Sequence, residues 1–232
     1  MKHTALLINT ATIVGVVGVA ADGEVLAQTS LELASSSNGT VTAVDQVLVS
    51  AGLSVQDISE IIVVRGPGTF TGSRVGASIA KAISYVTSCA LLSVTTLEAV
   101  AWTGLLQGTP DPPDGLVWAL LDARRHEFYA QSFAITGGEL HEASEAVCSS
   151  LDVFADIGRL RGIVACAFSD SLLPRIEEAE PRGKATWLFN VYPDSAGIVA
   201  AARSARREDP LRFEPIYLRT LEELFDHPEV KP

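Results

Sequence analysis

Basic residues are few in this chain of 232 residues, and they are not clustered. Lysine and arginine number 17 against 28 aspartates and glutamates, so the net charge is −11 at pH 7. The longest basic runs are the pairs Arg124-Arg125 and Arg206-Arg207. A protein that binds nucleic acid unaided carries a basic patch, so the sequence argues against such binding by the isolated chain. An acidic surface that keeps the protein soluble explains the charge without any partner.

Cysteine and histidine are also scarce. Cys89, Cys148 and Cys166 lie alone in apolar surroundings, without CxxC spacing. We interpret them as small buried side chains of a protein in a reducing compartment. No histidine has a second histidine within four residues, so the sequence lacks the helical histidine pair of many metal sites, and we predict no metal. The histidines are His3, His126, His141 and His227.

Long apolar runs are missing. No stretch approaches the roughly 18 apolar residues that a membrane span requires. The segment TALLINTATIVGVVGVAAD superficially resembles a signal peptide, but Asn9, Thr10 and Thr12 interrupt it and the turn Asp22-Gly23 follows. We interpret the segment as a buried strand and the start of a hairpin. The expected protein is cytoplasmic and has no membrane partner.

Hydrophobic periodicity predicts an ordered α/β segment before residue 107. Three strands form a meander, and helices and strands then alternate. The strands are predicted at 6–8, 13–20, 24–33, 61–64 and 90–94, and the helices at 41–51, from the loop after residue 64 to 88, and at 96–106.

The stretch QGTPDPPDG, residues 107–115, is the clearest linker. After it the same order recurs, because the turn Gly137-Gly138 occupies the place that Asp22-Gly23 holds in the first meander. Strands are predicted at 116–121, 127–135, from 139 onward, at 162–167 and at 185–189. Helices are predicted near 151–157, 171–178 and 195–206, with a short extended piece at 216–218.

These patterns predict a duplicated α/β fold with a cleft between two lobes. Each lobe is expected to hold a mixed sheet with flanking helices. The lobes are predicted at 1–107 and 116–232, and the last segment, 209–232, is expected to pack back on the first lobe.

A glycine-rich loop, RGPGTFTGSRVGAS, spans residues 65–78. It does not match a phosphate-binding template, because Thr71 replaces the third glycine of GxGxxG and no Lys-Ser or Lys-Thr follows Gly72. Pro67 also removes a backbone donor. We interpret the loop as a strand-to-helix turn or a partner-docking element, with direct anion contact at the helix N-terminus as the alternative. Its signature residues are Gly66, Pro67, Gly68, Thr69, Phe70, Thr71, Gly72 and Arg74.

The sequence also predicts specific roles for individual residues of the loop. A glycine at 66, 68 or 72 is expected to adopt positive φ, and Thr71 or Ser73 to cap the helix. Phe70 is expected to anchor the loop to the core or to a partner. Arg74 has either an acidic or phosphate partner or a solvated side chain.

Two stripes of residues follow the loop along the predicted helix. One stripe, from Val75 through Ile79 and Ile83 to Val86, is expected to face the sheet. The other consists of the small residues Gly76, Ala80 and Ser84. We predict that these let a partner helix approach closely, with burial under another internal helix as the alternative.

The loop and several other segments resemble one known family. GPGTFTGSRVG is similar to the GPGSFTGLRIG signature of the bacterial TsaB family, also called YeaZ. LDARRHEFYAQSF is similar to the family's iDARrgevYaa.f hairpin. Further similarities occur in the same order along nearly the whole chain, in LLINTAT, DISEIIVVRGPG, SVTTLEAVAW and EPIYLR.

The resemblance implies a two-lobed actin-like ATPase fold, a duplication of an RNase H-like unit. It implies a role in making N6-threonylcarbamoyladenosine at the adenosine beside the anticodon of ANN-decoding tRNAs. The chain is then a non-catalytic subunit that pairs through helices of its first lobe with TsaD, the catalytic paralogue, and TsaE, an ATPase, joins the complex. ATP or ADP and metal are expected to bind to the partner subunits, and no cofactor is expected to bind to this chain alone. Contact with tRNA is expected only within the complex. The resemblance leaves open whether the free chain forms a homodimer.

Some positions depart from the family pattern. Asn9 stands where the family usually has aspartate, and the hairpin at 122–125 has no glycine through which its backbone can approach a phosphate. We therefore predict that Asn9, Thr10 and Asp122 are vestiges of a phosphate site, that Asp122 caps a turn, and that no residue is catalytic. Ser73 replaces a leucine of the signature.

Another departure lies before the first long helix, where Ser36-Ser37-Asn38-Gly39-Thr40 replaces a His-Ser pair. Two other functions compete with this one: an ATP-dependent phosphotransferase of the same fold, and a metallopeptidase, an activity that has been ascribed to the paralogous family. An ATP-dependent phosphotransferase is disfavoured by Asn9 and by the missing hairpin glycines. A metallopeptidase is disfavoured by the scattered histidines.

Overall fold

Two mixed β-sheets form the frame of the protein. The computed structural model describes residues 3–32, 37–108, 115–125, 127–150, 161–168 and 184–218. The predictions for linker residues 109–114, the helices near 151–157 and 171–178, His126 and His227 lie outside these described residues. The strands are β1 (Thr4–Asn9), β2 (Val14–Ala21), β3 (Glu24–Glu32), β4 (Glu60–Val64), β5 (Ala90–Val94), β6 (Leu116–Arg124), β7 (Glu127–Thr136), β8 (Glu139–Glu142), β9 (Val147–Ser150), β10 (Arg161–Ala167), β11 (Lys184–Phe189) and β12 (Arg206–Glu208). The α-helices among these residues are α1 (Ser37–Ser50), α2 (Phe70–Thr87), α3 (Thr96–Gln107) and α4 (Ser195–Ala201), and single 3-10 turns occur at Val55–Asp57 and Ala202–Ser204.

The two sheets share one topology. The first has the order β12-β5-β4-β1-β2-β3, and the second has the order β11-β10-β6-β7-β8, with β9 paired to β7. The central strand β1 is antiparallel to β2 and parallel to β4, and β6 is likewise antiparallel to β7 and parallel to β10. This repetition confirms the predicted duplicated α/β fold with a mixed sheet in each half.

Helices α3 and α4 lie between the sheets. α3 packs on β6, β7 and β10, whereas α4 packs on β1, β2 and β3. Each begins at a hydrogen-bonded cap, since Thr95 Oγ1 accepts from Glu98 N at 3.1 Å and Asp194 Oδ1 accepts from Gly197 N at 2.7 Å. Their apolar side chains, including the fully buried Leu97 and Ile198, join both sheets in one core.

Helices α1 and α2 cover the outer face of the first sheet. They enclose a second core, in which Leu6, Ile8 and Ile61 are completely buried. The outer helices therefore expose only the surfaces that point away from this sheet.

The chain returns to the first sheet after α4. The predicted helix at 195–206 is too long, because α4 ends at Ala201 and β12 then pairs antiparallel with β5. Beyond β12, Phe213 is buried in the core under α2, and Ile216 N donates to Arg65 O at 2.8 Å. Residues 206–216 therefore belong structurally to the first sheet and its helices.

Candidate functional site

The turn after β1 is held by its own side chains. Asn9 is fully buried, its Nδ2 donates to Thr12 Oγ1 at 2.9 Å, and its Oδ1 accepts from Ala11 N at 3.0 Å. Thr12 Oγ1 in turn donates to Val14 O at 2.6 Å. Asn9 thus stabilises the turn from inside and does not line the cleft between the lobes.

The signature loop packs directly on this turn. Thr69 N donates to Ala11 O at 2.7 Å, and Thr10 Oγ1 donates to Gly72 O at 2.6 Å. The two threonine hydroxyls of the turn and the Ala11 amide therefore all donate within the protein. The family resemblance implies a fold that binds ATP in this cleft, but the hydroxyls of Thr10 and Thr12 and the amide of Ala11 already donate within the protein, so these three groups do not fit a nucleotide's phosphates.

Glycine is required at three positions of the loop, for two different structural reasons. Only Gly66 has positive φ, at +106°, and its carbonyl accepts from Thr96 N at 2.9 Å. A Cβ at Gly68 would lie 2.2 Å from Ala11 O, and one at Gly72 would lie 1.9 Å from Thr10 O. Positive φ is therefore required at Gly66, whereas close contact with the turn excludes a side chain at Gly68 and Gly72.

Helix α2 begins one turn earlier than its predicted caps. Its N-cap is Thr69, whose side chain makes no capping hydrogen bond. The prediction of a cap at Thr71 or Ser73 is wrong, because both residues lie inside the helix. Ser73 is buried, and its hydroxyl has no hydrogen-bond partner among the described residues.

A cleft of about 640 Å³ opens between the two lobes. Its walls are the first turn, the signature loop, the β6–β7 turn and residues 216–217. Asp122 Oδ1 accepts from Arg124 N at 2.7 Å, so Asp122 caps the β6–β7 turn as predicted. The residues that line the cleft are Thr10, Thr12, Gly15, Leu31, Glu32, Gly68, Thr69, Phe70, Thr71, Gly72, Val75, Asp122, Ala123, Arg124, Arg125, Tyr129, Ile216 and Tyr217.

The second wall of the cleft carries charge and a buried phenol. Arg124 and Arg125 both adopt positive φ, 66° and 55°, at the tip of the turn. Both side chains are exposed. Burial, reinforced by the nearby Cys148 and Asp122, raises the pKa of Tyr129 to about 12, so this residue is a neutral hydroxyl at physiological pH.

An aromatic cluster stands at the mouth of the cleft. The Arg74 guanidinium lies 3.9 Å from the centroid of the Phe70 ring, and Arg74 Nε donates to Tyr217 OH at 3.0 Å. The rings of Phe70 and Tyr217 lie 5.4 Å apart. Arg74 is thus exposed, as the solvated alternative expected, and it also has an aromatic partner that the sequence did not indicate.

The small residues of α2, and not the predicted apolar stripe, are its most buried face, although Ile79 and Ile83 of that stripe still pack against the core. Gly76, Ala80 and Ser84 are buried against the chain's own sheet, and a Cβ at Gly76 would lie 2.4 Å from Thr10 Oγ1. The small residues therefore let the helix approach β1 closely and do not form an outer face. The stripe from Val75 to Val86 is the more exposed one, since Val75, Ile79 and Ile83 are half-buried and Val86 is 80% exposed.

Apolar side chains are exposed on the two outer helices. On α2, Tyr85 is 69% and Val86 is 80% exposed, and on α1, Val41 is 47% and Val49 is 77% exposed. The two helices contact each other. We refer to Val41, Val49, Tyr85 and Val86 as the outer apolar surface.

Sequence reasoning did not find the residues that the C-terminal segment adds to the cleft. The family-like motif EPIYLR pointed to this segment. The sequence did not indicate, however, that Ile216 and Tyr217 lie beside Phe70, more than 140 residues away along the chain. Within the described ranges, no three His, Cys, Asp or Glu side chains converge on a point that could hold a metal ion. The described helices include none with the length and apolarity of a membrane span.

Comparison with known proteins connects this architecture to a family. The family model described as "TsaD: tRNA N6-adenosine threonylcarbamoyltransferase" matches residues 33–175. The tRNA threonylcarbamoyladenosine biosynthesis protein TsaB of Bacillus subtilis is 32% identical over 100 residues, which are 43% of this chain and 41% of that protein. The protein of the same name from Escherichia coli is 32% identical over 124 residues, 53% of this chain and 52% of that protein. The chain thus spans about half, or less, of the length of these curated relatives.

A solved structure shares the fold over nearly the whole chain. YeaZ from Pseudomonas aeruginosa has a TM-score of 0.75 at 18% identity, covering 93% of this chain and 100% of that one. Duplicated mixed sheets with a cleft between them define the class, a two-lobed α/β protein with the fold of that structure. Within that class, the chain belongs to the TsaB (YeaZ) family, as the TsaD-type family model and the TsaB relatives indicate.

Proposed function

We propose that this chain is an accessory, non-catalytic subunit in the biosynthesis of N6-threonylcarbamoyladenosine. In this role it binds and supports TsaD, which modifies the adenosine beside the anticodon of ANN-decoding tRNAs. TsaE joins the larger complex, and the site of action is the cytoplasm. ATP or ADP and metal are held by the partner subunits.

The outer apolar surface carries the proposal. Val41, Val49, Tyr85 and Val86 are exposed on two contacting helices, although each would gain free energy from burial. Large apolar side chains that stay exposed on neighbouring helices are candidates for a surface that binds another protein. The surface is built from helices of the first lobe, which is where the family resemblance predicts that TsaD docks.

The first turn supports the non-catalytic part of the proposal. The hydroxyls of Thr10 and Thr12 and the amide of Ala11 donate to Gly72 O, Val14 O and Asn9 Oδ1. A phosphate would have to displace these bonds, and Asn9 supplies no carboxylate for a metal-bound nucleotide. The alternative, an ATP-dependent phosphotransferase, requires those same groups.

Co-expression with the cognate TsaD tests the surface. Val86→Asp and Tyr85→Asp place a charge on the outer apolar surface without touching the core, and we expect each to weaken the heterodimer at least about ten-fold. The matched control is Leu211→Asp, since Leu211 is 74% exposed and lies outside this surface. Thermal unfolding of the free variants shows whether folding is intact. An undiminished heterodimer with both surface variants would exclude this surface.

Reconstitution of tRNA modification tests the role itself. TsaD, TsaE and tRNA are assayed for threonylcarbamoyladenosine with and without this chain, and this chain is assayed alone. We expect modification to depend on the chain and the chain alone to be inactive. Equal modification without it, or metal-dependent ATP turnover by the pure chain, contradicts the proposal. Gly76→Trp and Ala80→Trp are unsuitable tests of docking, because both positions are buried.

A further inference from the structure

Two partly exposed aromatic side chains lie at the mouth of the cleft. Phe70 is 39% and Tyr217 is 42% exposed, and Arg74 lies against both. In the part of the chain that the structure describes, no carboxylate lies within ion-pairing distance of Arg74. The exposed Arg74 guanidinium is stacked on these aromatic rings.

The opposite wall of the cleft adds two further cations. Arg124 and Arg125 line the same cavity of about 640 Å³, at the tip of the β6–β7 turn. Asp122 and Glu32 are the acidic residues among the lining side chains. The two lining arginines are matched by the two lining carboxylates, and Arg74 at the mouth brings the count to three cations and two anions.

This combination has a specific chemical preference. Unstacked nucleobases bind on aromatic rings and guanidinium planes, and arginines neutralise the adjoining phosphates. The Thr10 and Thr12 hydroxyls and the Ala11 amide of the first turn, by contrast, donate to Gly72 O, Val14 O and Asn9 Oδ1, so these three donors are not available to a polyphosphate chain. The cleft therefore fits a nucleotide held by stacking and charge better than it fits ATP.

The position of the cleft next to α2 indicates where such a nucleotide comes from. The exposed stripe of α2 runs from Arg74 through Ser78 and Ala82 to Tyr85, so it links the cleft mouth with the outer apolar surface. Arg74 and Tyr85 are separated by about 16 Å along this helix, so a docked protein that covers the stripe would bring its substrate to Phe70 and Arg74. Three arginines are too few to hold RNA without such help.

We propose that the cleft receives an unstacked nucleotide of the tRNA substrate when this chain is assembled with its catalytic partner. Phe70, Arg74 and Tyr217 stack on the base, and Arg124 and Arg125 contact its phosphates. This inference rests on the proposed function and adds a direct RNA contact to it.

The test uses the reconstituted complex, with tRNA as the varied substrate. Phe70→Ala and Arg124→Glu are each expected to raise KM for tRNA about ten-fold while kcat and the amount of heterodimer stay unchanged. Phe70→Tyr is expected to restore KM, because it keeps the ring. Leu211→Ala and Arg207→Glu are the matched controls, since both side chains are exposed and lie outside the cleft.

Cross-linking gives a second readout that a merely structural role would not produce. Ultraviolet irradiation of the complex with tRNA is expected to join RNA to peptides that contain Phe70 or Tyr217. An unchanged KM in both variants, or a fall in kcat alone, overturns the inference while chain-dependent modification leaves the proposed function standing. Binding of ATP by the isolated chain that Phe70→Ala abolishes would also overturn it, because the cleft would then serve a free nucleotide.

Discussion

Nη1 of Arg65 lies 2.8 Å from Oε1 of Glu208, and this ion pair ties the end of β4 to β12. The Arg65 side chain is 17% exposed and that of Glu208 is 9% exposed. Ser93 Oγ, on β5 between them, donates to the same carboxylate oxygen at 2.7 Å. The return of the chain to the first sheet is thus fastened by a buried polar cluster.

Removing one member of this cluster should destabilise the protein. We expect Arg65→Ala or Glu208→Ala to lower the free energy of unfolding by about 2 kcal/mol, because a largely buried partner loses its charged hydrogen bond. Arg206→Ala is the control: Arg206 is 75% exposed and lies 3.6 Å from Glu208, so its loss should cost under about 1 kcal/mol. Urea unfolding measures all three. Equal effects at Arg65 and Arg206 would show that the pair is no stronger than a surface contact.

Gly72 provides a test in which helix propensity and packing disagree. Propensity alone predicts that Gly72→Ala stabilises α2 by about 1 kcal/mol. The new Cβ would lie 1.9 Å from Thr10 O, so we expect a net loss of about 2 kcal/mol through displacement of the loop from the first turn. Ser78→Ala, on the exposed face of the same helix, should be neutral or slightly stabilising. Thermal unfolding measures the stability of both variants, and a higher stability of Gly72→Ala than of the wild type would refute the close contact.

Glu98 should make stability depend on pH in an unusual direction. Burial raises the pKa of its carboxyl above the ordinary 4.5, the nearby Glu142 adds to this, and hydrogen bonds from Ser204 and Thr95 oppose it. The folded state then binds the proton more tightly than the unfolded chain, so this stabilisation is complete below about pH 4.5 and is lost as the pH rises through the raised value.

We therefore expect Glu98→Gln to be more stable than the wild type at neutral pH. The amide keeps an acceptor for Ser204 and has no charge to bury. The advantage should shrink on acidification and vanish near pH 4. Chemical unfolding at a series of pH values measures it, with the exposed Glu139→Gln as control. A constant difference across the whole range would contradict the assigned cause.

The cysteines should differ in reactivity. Cys166 is fully buried, and burial raises the pKa of its thiol well above the usual range, so it holds little nucleophilic thiolate. We expect a thiol reagent to label the half-buried Cys89 and Cys148 first and Cys166 only on unfolding. Peptide mapping after timed labelling of the native protein identifies the sites. Early labelling of Cys166 would show that β10 opens readily.

Local patterns were sufficient for much of the fold. The alternation of β3 and the turns at Asp22-Gly23 and Gly137-Gly138 encode the meanders, and Ala90–Val94 is the predicted strand without change. The two short strands β9 and β12 were missed, because three or four residues carry too little periodicity to indicate a strand.

The faces of α2 could not be predicted for a different reason. Apolar content indicated that Val75, Ile79 and Ile83 should be the buried stripe. The helix instead lies so close to β1 that only small residues fit between them, because Gly76 contacts Thr10 and Ile8. Helix-to-sheet distance is a tertiary quantity, so the sequence of one helix does not contain it.

The sequence predicted only part of the role of the first turn. The substitution at Asn9 indicated a lost carboxylate, but the network from Asn9 to Thr12 and Val14 depends on a turn geometry that the sequence does not specify. Likewise, Tyr217 reaches Arg74 only because the chain crosses back over the first lobe.

The antiparallel pairing of Arg206–Glu208 with β5 has a consequence for how the protein is made. During translation the first lobe leaves the ribosome long before residues 206–208, so β5 is an open edge while the second lobe is being synthesised. Open edges invite pairing with other chains. The nascent protein is therefore vulnerable to aggregation over about half of its synthesis, from residue 94 to residue 206, and the first sheet is completed only after the second lobe has emerged.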